Sequence, residues 1–80
     1  MKHHDLKIWP QYEKALRTGK KTFEVRNNDR NFKEGDTFRL NFFDPVKNEY
    51  MDKIKHPPID GIIGYVLKID HERVVWSILK

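Results

Sequence analysis

The sequence predicts an α+β fold: a small β-barrel of about five to six strands with one short α-helix packed beside it. Three observations carry that prediction. Short runs of alternating apolar and polar residues recur at close spacing, the pattern of half-buried strands. One interval, Pro10 to Gly19, breaks the alternation and carries helical start and stop signals. Gly61 and Gly64 interrupt the longest apolar stretch, where a bend or bulge would curl a sheet into a barrel.

The elements follow in order. His4, Leu6 and Ile8 alternate with Asp5 and Lys7, so a first strand has one buried face. Pro10 suits the first helical position and Gly19 the residue just past the end, which predicts a helix of about nine residues. Tyr12, Ala15 and Leu16 take its apolar side, with Trp9 entering from its start. Too short to stand alone, this helix must pack on the sheet. A second strand runs through Phe23 to Arg26, and Asn27 to Asn31 is a polar turn, with Phe32 anchoring the loop to the core. After a turn at Glu34-Gly35-Asp36, Phe38, Leu40 and Phe42 point inward while Thr37, Arg39 and Asn41 point outward. Asp44-Pro45 to Glu49 joins antiparallel strands, the next one continuing through Tyr50, Asp52 and Ile54. His56-Pro57-Pro58 withholds two amide donors and so breaks the sheet or sits at its edge. Ile59 to Ile69 and then Val74, Trp76 and Ile78 supply the closing strands.

At 80 residues the chain forms one domain, 1–80, burying roughly 60–65% of its unfolded surface around a single core. The absence of cysteine excludes disulfides, thiolate chemistry and cysteine–zinc sites, and fits a reducing compartment. No apolar run approaches the ~20 residues of a membrane helix, and the N-terminus lacks a signal-peptide core. The expectation is a cytoplasmic protein that does not engage membranes. The charge of +4 and pI near 9.4 favour phosphate-bearing partners, although sixteen basic residues are offset by twelve acidic ones. His3, His4, His56 and His71 match no metal-ligand spacing, and no glycine-rich phosphate loop is present, so neither a metal nor a cofactor is expected. Ser77, the only serine, lies inside an apolar strand, which makes a serine triad implausible.

The remaining chemistry is concentrated in Gly19-Lys20-Lys21-Thr22-Phe23-Glu24-Val25-Arg26. Glycine permits a sharp reversal after the helix. A strand then carries Thr22, Glu24 and Arg26 on one face and Phe23 and Val25 on the other. Two readings fit this pattern. It is a charged edge strand whose Glu24–Arg26 pair faces water, or a polar cluster that grips a ligand. Spacing alone favours the solvated edge.

Gly19-x-Lys21-x-x-Glu24-x-Arg26 resembles the GxKxxExR signature of the ASCH domain, a relative of the PUA RNA-binding fold. Asn28-Asp29-Arg30, Phe32 and Gly35-Asp36 resemble its continuation in a subgroup of very small bacterial and phage proteins, largely of unknown function. The similarity runs from near Leu6 to near Ile78. It implies a PUA-like barrel with a cleft between helix and barrel, where the motif residues Lys21, Glu24 and Arg26, with Thr22 adjacent, hold RNA or a nucleotide-like ligand. On a regular strand Lys21 would share the Phe23 side, so a kink after Gly19, or a position at the barrel mouth, would let its long stem reach round.

Within that resemblance the leading expectation is an RNA- or nucleotide-binding module. Glu24 would accept from a base or ribose and Arg26 would donate to it. Arg17, Lys20 and Arg30 would meet phosphates alongside Lys21, and an exposed aromatic such as Trp9, Tyr12 or Phe43 would stack a base. The alternative is an amidohydrolase acting on N4-acylated cytidine, with Lys21 and Glu24 as its catalytic groups. Some ASCH-like proteins resemble such enzymes, but with threonine where this chain has Glu24 and with a glutamate from a helical insertion for which Pro58 to Trp76 leaves no room. A protein-interaction module of phage or bacterial origin is the third possibility. The residues specify no oligomeric state.

Overall fold

The clearest alternation in the chain produces the first strand. In the computed structural model, which describes residues 1–79, β1 (His3–Ile8) buries His4, Leu6 and Ile8 and exposes the residues between them. The expected nine-residue helix is two shorter pieces, a 3-10 turn over Pro10–Tyr12 and α1 (Glu13–Arg17). The Tyr12 amide donates to the Trp9 carbonyl at 3.2 Å, the tighter i to i+3 spacing. Neither piece has a side-chain N-cap, so the segment is held mainly by its one buried side chain, Leu16. Gly19 ends it at φ +78°, a left-handed conformation that costs glycine nothing.

Five further strands follow: β2 (Phe23–Asn27), β3 (Thr37–Asp44), β4 (Glu49–Tyr50), β5 (Ile59–Lys68) and β6 (Arg73–Leu79). They form a six-stranded mixed sheet of order β1-β3-β5-β6-β2, with β4 attached to β3. β1 runs parallel to β3, and the other pairs are antiparallel. β1 and β2, adjacent along the chain, therefore lie at opposite ends of the sheet order.

The strand expected to continue through Tyr50, Asp52 and Ile54 ends at Tyr50. Asp52 instead accepts the Ile54 amide at 2.8 Å, a local bond that competes with the ladder and leaves Ile54 almost fully exposed. On β5 the register with β6 shifts between Ile63 and Val66. Ile59 and Ile63 face inward before the shift and Val66 after it. Gly64 occupies the irregularity because a Cβ there would collide with the Ser77 hydroxyl.

The core is aromatic at its centre. Trp76 is fully buried, with the Phe38 and Phe32 rings 5.0 and 5.6 Å away, and Leu6, Leu40 and Val74 join the same cluster. Phe32 is buried as the loop anchor, and its amide donates to the Asn28 side chain at 3.2 Å. Trp76 Nε1 is the one buried side-chain polar atom without a partner among the described residues. Filling the core with the largest side chain offsets that cost. No helix among the described residues is long and apolar enough to cross a membrane.

A second polar unit sits in this core. His4 and Asp36 are both about 4% exposed, and the His4 ring contacts Asp36 at 2.9 Å. The Lys2 and Lys33 amides also donate to Asp36, at 3.0 and 3.1 Å. Burial by itself would raise the Asp36 pKa, but the His4 contact and the two amides outweigh it and lower the value to about 2. A depressed carboxylate stabilises the fold above its unfolded value and ceases to do so as pH falls through the folded value. Asp36→Asn is therefore expected to cost on the order of 2 kcal/mol near neutral pH, with the difference from wild type shrinking between pH 4 and pH 2. Urea denaturation across that range measures it; a difference that stays constant with pH contradicts the assignment.

Candidate functional site

Cross-strand partners share a face of a sheet. Glu24 pairs with Trp76 and Arg26 with Val74, and both of those partners are buried. The Glu24–Arg26 face of β2 is thus the concave, core-side face. Phe23 and Val25, each nearly half exposed, take the convex one. This overturns the reading of a charged pair facing water. The carboxylate of Glu24 is only 4% exposed, so its charge requires close partners.

Two are supplied. Arg26 Nε donates to Glu24 Oε2 at 2.8 Å, and Lys21 Nζ donates to Oε1. Lys21 does not lie on the regular strand. It precedes β2, in the extended turn after Gly19, with its amide bonded to the Ala15 carbonyl at 2.9 Å. That offset removes the parity conflict and lets the amine reach the carboxylate. The ammonium also lies 4.4 Å from the Tyr12 ring centre. Arg26 reaches further still: Nη2 donates to the Lys7 carbonyl at 2.9 Å. One guanidinium thereby ties β2 to β1, the two ends of the sheet order.

Above this cluster opens a cleft of about 790 Å³. Its walls come from β1 with Trp9 and Tyr12 on one side and from Lys21 and β2 on the other. Phe32, Asp29, Arg30 and Arg73 complete it. Five cations against two carboxylates line the space, so the potential inside favours an anion. Arg73 is partly engaged, since Asp70 accepts from its Nε at 3.0 Å and its Nη2 at 2.9 Å. Lys21 and Arg26 remain 17% and 21% exposed while the carboxylate between them is sealed. Both cations keep donors free for a ligand.

Lys21, Glu24 and Arg26 are brought together, and Arg30 stands on the cleft wall. Thr22 and Lys20 are exposed and outside the lining. Arg17 is also outside it: Nε donates to Glu13 at 2.9 Å, Nη2 donates to the Pro57 carbonyl, and the guanidinium lies 5.3 Å from the Phe42 ring centre. Of the aromatics proposed for stacking, Trp9 and Tyr12 line the cleft about 40% exposed, whereas Phe43 is buried. Sequence reasoning missed Lys7, Asn27, Asp29 and Arg73. For Lys7 no local signal existed, because its role depends on two strand ends that meet without pairing. Among the described residues no group of three or more His, Cys, Asp or Glu side chains could hold a metal.

The pair energetics can be measured against a surface pair of similar geometry. Removing the sealed carboxylate leaves two cations facing each other, so Glu24→Ala is expected to destabilise the fold by about 2–4 kcal/mol. The Arg39–Asp60 pair is about half exposed on both sides, and Arg39→Ala should be indistinguishable from wild type. Denaturant midpoints of the two variants provide the check; equal effects would contradict the difference in burial.

No curated protein matches the sequence. A family model described as a domain of unknown function (DUF3850) matches residues 3–78. That span runs from the first residue of β1 to the penultimate residue of β6 and includes every side chain of the cleft. The chain belongs to the DUF3850 family, whose domain is of unknown function.

Proposed function

We propose that the cleft binds RNA or a nucleotide-like anion, and that the curled sheet is an ASCH-like, PUA-type barrel tied across its β1–β2 gap by Arg26. One observation carries this reading. A sealed carboxylate holds two part-exposed cations at the base of an electropositive cleft, with Trp9 and Tyr12 on its wall. Lys21 and Arg26 supply charge-assisted donors to phosphate or to a base carbonyl, and Glu24 fixes where those donors sit. Trp9 and Tyr12 offer faces for a base. The cleft volume falls within the usual range for small-molecule sites of about 300–1,000 Å³.

The amidohydrolase alternative receives less support from the same geometry. A lysine nucleophile or base must be free and neutral. The Lys21 amine is instead engaged by Glu24 and lies close to the Tyr12 ring.

Trp9 is 40% exposed in the cleft and Trp76 is sealed, so quenching of tryptophan fluorescence reports cleft occupancy. Titration with a short single-stranded RNA and with nucleoside monophosphates is expected to quench it. RNA affinity should fall about tenfold between 50 and 200 mM salt if two to three phosphates are met. Arg30→Ala should flatten that dependence, and Arg26→Ala should weaken both ligands. Salt-independent RNA binding, or unchanged affinity in Arg26→Ala, contradicts the proposal.

A further inference from the structure

The convex face of β5, β6 and β2 is apolar to a degree that its own fold does not require. In-register pairing lines up Val25, Val75 and Leu67 across three neighbouring strands. Ile62 stands beside Leu79, and Phe23 beside Ser77. Tyr65 and Ile69 extend the surface along the β5 side. Seven large apolar side chains of this face are 45–67% exposed. Together they present on the order of 700 Å², above the ~300–600 Å² of the largest patch on a typical monomer and close to the ~800 Å² per partner of a standard interface.

We infer that this face is a homodimer interface, on which a second copy of the chain packs the same apolar rows about a twofold axis. The occupant follows from what the face lacks and what it has already satisfied. Among the described residues, the charged outward positions of this face, Arg73 beside Ile69 and Asp60 beyond Ile62, stand at the ends of its rows and are already paired, with Asp70 and Arg39. A partner selected by charge has nothing to pair with there. An isologous contact brings no like charges together, although each chain carries +4 overall. The hydroxyl of Ser77, in the middle of the face, already accepts the Tyr65 amide at 2.8 Å, so covering it leaves that acceptor satisfied. Two twisted sheet faces stack with their strands about 30° apart, the arrangement a second copy would take on these rows. Phe23 and Val25 belong both to this face and to the lip of the cleft, so the second copy stands beside the ligand site.

Light scattering after size-exclusion chromatography, together with sedimentation over a range of concentrations, tests the inference. Wild type is expected at twice the 9.7 kDa chain mass. Leu67→Glu and, separately, Tyr65→Glu each place a charge on an exposed position, so the fold should persist by circular dichroism while the mass falls to that of one chain. Val46→Glu alters an apolar residue that is 92% exposed on a loop away from the face, and should leave the dimer intact. Wild type that stays monomeric at high concentration overturns the inference and leaves the face to a different protein. Folded Leu67→Glu and Tyr65→Glu chains that remain dimeric overturn it as well.

Discussion

A single carboxylate buried on the concave side of an end strand organises this molecule. Glu24 lies directly across from Trp76, the centre of the core, where an uncompensated charge would be among the costliest features the fold could carry. Lys21 and Arg26 compensate it, and Arg26 uses its remaining reach to donate to the Lys7 carbonyl. The consequence is long-range. Two strands that are neighbours in sequence and opposite ends in sheet order are held together by a side chain, and the space between them becomes a cleft instead of a ladder.

The two buried carboxylates solve the same problem in different ways. Asp36 is satisfied by one histidine and two backbone amides, all inside the protein. Its partners are enclosed, which makes it a structural group. Glu24 is satisfied by two long, part-exposed cations that reach it from an open cleft. Equal burial therefore produces an enclosed joint in one place and a part-exposed charged surface in the other. The difference lies in which partner groups remain wet, not in the depth of the acid.

The sequence made the strands legible wherever one face was buried and the other wet. β1, β3 and β6 follow their alternation, and Gly19 terminates the helical segment at a positive φ. The glycine interruption of β5 correctly marks its irregularity. β2 was misleading for a physical reason: its concave face is polar and its convex face apolar, inverting the usual rule. Composition cannot reveal that inversion, because it exists only to hold a charged cluster inward and to leave Phe23 and Val25 out. The helix was overextended because Pro10 sets the start of a 3-10 turn as readily as that of an α-helix. Arg17 ends the helix and Lys20 follows it in sequence, and both fall outside the cleft. The motif trio was legible from its spacing, while Lys7 and Arg73 required the topology.

The central claim is that the Lys21–Glu24–Arg26 cluster is where this domain holds an anionic ligand. The most direct measurement is the NMR signal of the Arg26 Nε–H, followed with the backbone amides as cytidine monophosphate is added to saturation. The account predicts a shift of that Nε–H, with amide changes concentrated on β1, on Lys21 to Asn27 and around Arg30. An unmoved Arg26 signal at saturation, with the changes gathered elsewhere, would contradict it.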